Sequence, residues 1–337
     1  MESISHSLAS VRSALVIGLA LGAGCSAQHR TTLRNTPDSA TAAPSAPAPT
    51  HRERAAARTV SVTLDDLGAT EESSAPEIST RILRALAAEK APVAVFVNCR
   101  SLERETLMLW QHAGATFGNH TATHLDLDRA GADDAWWHDV ESCDARLRSE
   151  LEERVEFFRY PYLRYGKTAE ARAVAARKLA ELRYTIAHVT AATSEWLLAD
   201  YYRQALASGD AALAEDLATA YVAHMVDTLE AARAWAIQKA GHDIRQITLA
   251  HVNRLAADHL SDVLAALRSR GWHFVSLKEA LADPVYSLPD VYTGGCGCSW
   301  LARIAPALTP RDSYVFGEYE DRIRQRFEPR VQALPKR

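Results

Sequence analysis

The sequence lacks the features that mark several large classes of protein. Its N-terminal apolar run, residues 14–23, spans only about ten residues, whereas a membrane-spanning helix needs about 20. Positive charge is not in excess, because 38 Lys and Arg stand against 42 Asp and Glu, and no basic stripe occurs. These shortages argue against an N-terminal transmembrane helix and against nucleic acid as a partner.

The first 25 residues have the pattern of an export signal. Arg12 precedes the apolar run, and small residues lead into Cys25. This ending resembles the cleavage and acylation site of bacterial lipoproteins. We therefore predict a protein of the bacterial cell envelope, attached to the membrane through lipidated Cys25. Ordinary secretion or a periplasmic location, after cleavage at a nearby small residue, is the alternative.

The rest of the chain divides by composition into three segments. Residues 26–58 hold several prolines among Ala, Ser and Thr without apolar periodicity, which predicts a disordered linker. Residues 59–286 suit a single α/β barrel domain. Residues 287–337 are Pro- and Gly-rich, contain Trp300 and several Arg, and are predicted to pack on the barrel as an extension.

Cysteine is scarce, with five in the whole chain. An even set remains beyond the predicted signal: Cys99, Cys143, Cys296 and Cys298. In an exported protein such a set suggests disulfides, although the spacing does not fix their pairing. Cys296 and Cys298 are too close in sequence for a common internal bridge. A metal site is not favoured either, because neither a His nor a second Cys pair lies beside them. We expect all four to be structural.

Apolar strands alternate with helical patterns through the predicted domain, which favours parallel α/β architecture. The first strand covers Val60–Leu64, and the last is expected at Phe274–Leu277. Between them, residues 197–245 are Ala-rich with apolar residues at helical spacing, which predicts a two-helix insertion. The insertion either shapes a substrate groove or simply packs on the barrel.

Four short motifs carry the chemistry, and each follows an apolar strand: Thr63-Leu64-Asp65-Asp66, His120-Thr121-Ala122-Thr123-His124, Arg159-Tyr160-Pro161-Tyr162 and Leu249-Ala250-His251. The C-terminal strand ends carry the active site in α/β barrels. The spacing of His120 and His124 puts both rings on one face of a helical turn or tight loop. Asp65 and Asp66 point to opposite sides if the chain stays extended, so one can bind a metal while the other faces its water.

These motifs resemble those of the polysaccharide deacetylase family, also called carbohydrate esterase family 4 or the NodB homology domain. The likeness covers roughly Val60 to Asp283. It implies a distorted (β/α) barrel of the NodB-homology type with a helical insertion. It also implies hydrolysis of N- or O-linked acetyl groups of a glycan such as chitooligosaccharide, peptidoglycan or xylan.

The resemblance also implies a role for each motif residue. The divalent cation, most readily Zn²⁺ with Co²⁺, Ni²⁺ or Mn²⁺ as alternatives, would bind Asp66, His120 and His124. The catalytic set would be Asp65 as general base, His251 as general acid and Arg159 orienting Asp65. The oxyanion and substrate would meet Tyr162, Tyr160, Glu195 and Trp196. The alternatives left open are an ion-paired or surface Arg159, core aromatic rings at Tyr160 and Tyr162, and a core histidine at His251. The other histidines, His224 among them, are expected to be ordinary.

One motif departs from the family pattern. The fourth family motif carries an Asp that pairs with Arg159, followed by a second acid and a Trp. In this chain Ala192 stands where that Asp is expected, while Glu195 and Trp196 keep the acid–Trp step. Either Glu195 substitutes as the partner of Arg159 or the base is tuned less well. A glycan-binding pseudoenzyme with weakened catalysis is therefore the alternative function.

Overall fold

The structure is a computed structural model that describes residues 58–130, 134–295, 297–304 and 310–335. The predicted signal, Cys25 and almost all of the predicted linker lie outside these residues, as does Cys296. No helix in the described part of the chain is long and apolar enough to cross a membrane.

The strands of the described residues form one parallel sheet. They are β1 (Thr59–Leu67), β2 (Val93–Val97), β3 (Thr116–Asn119), β4 (Phe157–Phe158), β5 (Thr185–Ile186), β6 (Gln246–His251) and β7 (His273–Phe274). Their order is β5-β4-β3-β2-β1-β6, and β7 pairs with the first residues of β1. All residues of β2 are buried, which explains its unbroken apolar run, because helices cover both faces of a parallel sheet.

Helices surround this sheet. They are α1 (Glu71–Ser74), α2 (Pro76–Ala88), α3 (Arg104–His112), α4 (Leu127–Ala130), α5 (Asp134–Leu151), α6 (Ala169–Glu181), α7 (Glu195–Ser208), α8 (Ala211–Ala240), α9 (Arg254–Ser269), α10 (Leu277–Leu281), α11 (Trp300–Ile304) and α12 (Pro310–Gln332). Short 3₁₀ turns lie at Pro161–Leu163 and Pro284–Ser287. The predicted two-helix insertion is present as α7 and α8.

The sheet is curled, and the segment after β5 joins its two ends. Thr190 N–H donates to the Ile247 carbonyl at 3.0 Å, and Ala191 forms a parallel bridge with Thr248 of β6. This closure brings the C-terminal ends of distant strands to one place. The predicted distorted (β/α) barrel with a helical insertion is confirmed.

The predicted last strand is wrong beyond its first residue, Phe274. The strand is only His273–Phe274, and Leu277 begins α10. The side chain of Ser276 accepts a hydrogen bond from the Glu279 N–H at 3.2 Å. A serine that caps a helix in this way ends an extended segment, even when apolar residues continue the strand pattern.

The described cysteines are bonded, as expected for structural cysteines. Cys99, just after β2, forms a disulfide with Cys143 of α5, with 5.3 Å between their Cα atoms. Cys298 is also disulfide-bonded. The Cys99–Cys143 bridge ties α5 to the sheet beside the His120 loop.

Candidate active site

Three potential metal ligands converge at the C-terminal ends of β1 and β3. Asp66 Oδ1 lies 3.7 Å from His120 Nε2 and 3.5 Å from His124 Nε2. One donor atom from each of the three residues lies within 4.8 Å of the others. Asp66 Oδ1 is buried and has no hydrogen-bond partner among the described residues. Two imidazole nitrogens facing an unpartnered carboxylate oxygen fit a zinc-like divalent cation.

Asp66 reaches this position because β1 is distorted. The pairing of β1 with β2 shifts between Leu64 and Leu67, and Asp66 has a left-handed φ of 70°. The chain therefore does not stay extended at Asp66, which was the condition for the predicted alternation of sides. A bulge, rather than simple alternation of sides, aims the two neighbouring carboxylates.

The two histidines lie on a tight loop rather than on a helical turn. Thr121 and His124 have left-handed φ values of 66° and 59°. Thr121 N–H donates to Asn119 Oδ1 at 2.8 Å, and Thr123 donates both its N–H and its hydroxyl to Asp139 of α5. These bonds keep the loop in a backbone conformation that is unfavourable without support.

The tautomer of His120 is set by its neighbour. Its Nδ1 lies 2.8 Å from the carbonyl oxygen of Arg159, which can only accept, so Nδ1–H donates and Nε2 keeps its lone pair. Burial, together with the charge of His124, lowers the pKa of His120 to about 3. His120 is therefore neutral at pH 7, as a metal ligand must be.

Asp65 is held by a buried arginine. Its Oδ1 accepts a hydrogen bond from Arg159 Nη1 at 2.7 Å, and the same Nη1 donates to Thr63 Oγ1 at 2.7 Å. The guanidinium lies over the Phe96 ring, 3.9 Å from its centroid. Asp65 Oδ2 is left 3.7 Å from His120 Nε2, so it faces the ligand set. Arg159 fixes this orientation through a charge-assisted hydrogen bond.

The second amino group of Arg159 is unsupported. Arg159 Nη2 is buried and has no hydrogen-bond partner among the described residues. Glu195 does not substitute for the missing family Asp, because its carboxylate binds elsewhere. Ala192, with no polar side chain, lines the cavity.

Glu195 instead holds His251. Its Oε1 accepts from the backbone N–H of His251 at 2.7 Å and lies 2.6 Å from His251 Nδ1, while Oε2 accepts from Asn253 Nδ2 at 3.3 Å. Burial alone would lower the pKa of His251, but the hydrogen bond and charge of Glu195, with the charges of Asp66 and Asp65, raise it to about 9. A protonated His251 at neutral pH suits a general acid.

These groups open into one cavity of about 710 Å³. Its lining includes Asp65, Asp66, His120, His124, Tyr162, Trp196 and His251. Tyr162 and Trp196 are 54% and 43% exposed, and the Tyr162 ring packs against His124 at 4.3 Å between centroids. Two exposed rings beside a polar centre can stack on the apolar faces of sugars.

Two residues predicted to meet the oxyanion or substrate are not at the cavity surface. Tyr160 is buried and packs against Trp136 and Tyr165, so the alternative of a core aromatic ring applies. Glu195 is fully buried behind His251. The burial of these two side chains follows from tertiary packing, which the spacing of the motifs does not encode.

Sequence reasoning missed three supporting residues. Thr63 binds Arg159, Asn253 binds Glu195, and Asp139 holds the histidine loop. Thr63 is the first residue of the Thr63-Leu64-Asp65-Asp66 motif, and Asn253 follows His251 by two residues, so their closeness to the predicted site residues was a usable signal. Asp139 lies within an ordinary helical pattern and carried none.

Comparison with known proteins agrees with this geometry. Residues 52–181 match the model of the family described as polysaccharide deacetylase. This region contains the first three motifs, whereas Glu195 and His251 lie beyond it. No curated protein matches the chain.

Several solved structures are similar to the chain at low identity. A carbohydrate esterase family 4 pseudoenzyme from Bacillus anthracis is 15% identical, with a TM-score of 0.46 over 66% of this chain and 65% of that one. The peptidoglycan deacetylase PdaC from Bacillus subtilis is 19% identical, with a TM-score of 0.44 over 66% and 91%.

A third similar structure is the family 4 esterase domain of a multidomain xylanase from the hindgut metagenome of Trinervitermes trinervoides. It is 17% identical, with a TM-score of 0.44 over 69% of this chain and 92% of that one. Residues 52–181 therefore match the polysaccharide deacetylase family, and residues of the three motifs in this region line one cavity.

Proposed function

We propose that the protein is an exported, metal-dependent deacetylase that hydrolyses N- or O-linked acetyl groups of a glycan such as chitooligosaccharide, peptidoglycan or xylan. One observation carries this proposal. Asp65 and His251 face each other across the β1–β6 pairing and line the same cavity as the Asp66, His120 and His124 set. A base, an acid and a ligand set within one cavity are what a water attack on an acetyl group requires.

Asp66, His120 and His124 would hold the divalent cation. Zinc fits best on ligand type, with cobalt, nickel and manganese as alternatives. When bound, such an ion increases the acidity of water and polarises a carbonyl group. The metal-free protein should therefore be inactive, and added Zn²⁺ should restore acetate release.

The residues around the ligand set would divide the proton transfers. The carboxylate of Asp65, fixed by Arg159, accepts a proton from the attacking water. Nε2 of His251, whose Nδ1 is held by Glu195, protonates the departing amine or alkoxide. The backbone N–H of Tyr162 would stabilise the oxyanion, a role supported by the family resemblance. Trp196 and the Tyr162 ring would contact the sugar.

Acetate release is the direct test. Purified protein is incubated with acetylated chitooligosaccharides, peptidoglycan and acetylated xylan, and acetate is quantified. The wild type should release acetate from at least one of these, and Asp65→Asn should lower kcat at least about 100-fold, because it removes the general base. Asp216→Asn, an exposed carboxylate that pairs with Arg330, is the matched control and should keep wild-type activity.

Metal content separates two kinds of failure in this test. A protein that binds one equivalent of metal but releases no acetate from any of the three substrates contradicts the deacetylase proposal. A protein that binds no metal contradicts the ligand set itself.

The second candidate function is a glycan-binding protein with weakened catalysis. The observation that favours it is the unpartnered Nη2 of Arg159, together with Ala192 in place of an acid. Ala192→Asp distinguishes the two candidates. A large gain in kcat indicates a weakened enzyme, whereas substantial wild-type turnover that the substitution leaves unchanged removes this candidate.

Export and lipid anchoring through Cys25 also belong to the proposal. The Cys99–Cys143 disulfide supports export, because such bonds persist in oxidising compartments. Intact mass of the protein extracted from membranes is the test. A mass with three acyl chains on Cys25 is expected, and an unmodified chain starting near Gln28 would contradict anchoring.

A further inference from the structure

We propose that His224, on the insertion helix α8, is a positioning residue that fixes Glu195 and through it the ring of His251. The catalytic consequence rests on the proposed function, because that function makes His251 the acid. The contacts themselves do not depend on it. The insertion would then be part of the catalytic apparatus rather than a packed appendage.

The first observation is a buried hydrogen bond between the insertion helices. The backbone N–H of Ser194, the residue that caps α7, donates to His224 Nε2 at 2.9 Å. The side chain of Ser194 makes no capping bond of its own. The first amides of a helix lack partners within it, and burial makes an unpaired one costly. The imidazole of α8 therefore satisfies the buried amide of the cap residue itself, at the start of α7.

The second observation is the position of Glu195, directly after Ser194 in the chain. Glu195 is the first residue of α7, is fully buried, and holds both the backbone N–H and Nδ1 of His251 through one oxygen. A shift of the Ser194 amide moves the Glu195 backbone directly. Because the two contacts of Glu195 with His251 measure 2.6 and 2.7 Å, a displacement of about 1 Å breaks their geometry.

The third observation is that His224 is itself fixed and neutral. It is 7% exposed, and its ring packs edge-on against Tyr319 of α12, with 5.4 Å between centroids. Burial lowers the pKa of His224 to about 4. The charge of Glu195 opposes this shift, and the charge of Arg322 adds to it. At neutral pH Nε2 therefore has a free lone pair and accepts.

The test compares three variants on the full chain with Zn²⁺ bound. His224→Leu fills the position with an apolar side chain and removes the acceptor Nε2. His224→Gln keeps an acceptor oxygen near the position of Nε2. Thr228→Val, one turn further along α8, changes another fully buried side chain whose hydroxyl has no partner among the described residues, and so controls for packing.

Two readouts are needed. The first is kcat and KM for acetate release from the best substrate. The second is amide hydrogen exchange of peptides covering residues 194–198, which does not require activity. We expect His224→Leu to lower kcat about tenfold with KM nearly unchanged, and to accelerate exchange in this segment, because the acid is misplaced while the cavity wall remains.

The conservative variant decides between positioning and packing. His224→Gln should retain most of the wild-type kcat and the slow exchange, and Thr228→Val should behave like wild type. The proposal is overturned if His224→Leu leaves both readouts unchanged, if His224→Gln is as impaired as His224→Leu, or if Thr228→Val is equally impaired. If wild-type protein releases no acetate, the proposed function fails, and exchange in residues 194–198 alone decides whether His224 holds this segment.

Discussion

At the scale of single residues, Glu195 is a buried carboxylate that fixes the position of the His251 ring and raises its pKa. Its Oε1 contacts both the backbone N–H and Nδ1 of His251. The first contact fixes where the residue lies, and the second fixes the ring and its protonation. An acid at this position would thus act on the proposed reaction through His251, without lining the cavity.

Glu195→Gln should move the alkaline limb of the pH–rate profile downward. The pKa of His251 is raised from 6.5 to about 9, so the acid form is present below about pH 9 and lost above it. Gln can still accept hydrogen bonds but carries no charge, so the pKa of His251 falls. We expect a downward shift of at least about one pH unit in the limb of kcat, measured between pH 6 and 10.

The control for this experiment is Glu72→Gln. Glu72 lines the same cavity but binds the backbone N–H of Arg254 rather than His251. Its substitution should leave the alkaline limb in place. An unchanged limb in Glu195→Gln would mean that another group titrates there.

At the scale of elements, the C-terminal extension takes part in the site. Gly297 lines the cavity, and a Cβ built on it would lie 2.1 Å from the carbonyl oxygen of Tyr162. Tyr162 has a left-handed φ of 57°, and Leu163 has one of 50°. The extension therefore packs directly on the strained turn that carries the proposed oxyanion donor.

Gly297→Ala should lower kcat by about tenfold or more, because the added methyl must displace the Tyr162 backbone. Steady-state kinetics with the best substrate measure the effect. Gly295→Ala is a matched control in the same loop. Its Cβ would meet nothing closer than the flexible end of Lys167, at 3.4 Å, and kcat should stay near the wild-type value. Equal kinetics for the two variants would show that Tyr162 tolerates displacement.

At the scale of the whole molecule, buried neutral histidines link stability to pH. His188 stacks on Trp300 with 3.6 Å between centroids, and burial, with the charges of Arg303 and Arg159, lowers its pKa to about 3. Burial likewise lowers the pKa of His224 to about 4. In the unfolded chain these groups titrate near pH 6.5.

The metal-free protein should lose stability as the pH falls below about 6.5. There the unfolded chain takes up protons that the folded protein excludes, so each such histidine contributes up to about 1.4 kcal/mol of lost stability per pH unit. Urea unfolding at pH 7, 6 and 5 should give a falling free energy of unfolding. His188→Gln should flatten this dependence, while His242→Gln, at an exposed position, should not. If His188→Gln leaves the pH dependence of the free energy of unfolding unchanged, other groups cause the loss of stability in acid.

The elements and the ligand set were predictable because their signals are local. The continuous apolar run at Val93–Val97 indicates a buried strand, and the spacing of His120 and His124 indicates a ligand pair. The cap at Ser276 was missed because a serine side chain binding its own backbone outweighs a strand pattern. The bulge at Asp66 was missed because it depends on how β1 pairs with β2.

The sequence by itself determined the barrel with its insertion and the side chains that could bind a metal, because periodicity and motif order are local properties. Only the tertiary structure decided the partners of those side chains. Glu195 contacts His251, 56 residues away in sequence, and so leaves Arg159 Nη2 without a partner among the described residues. His224 contacts Ser194, which is 30 residues away in sequence. Such contacts depend on the packing of whole helices against the sheet, and burial then sets the protonation of the groups involved.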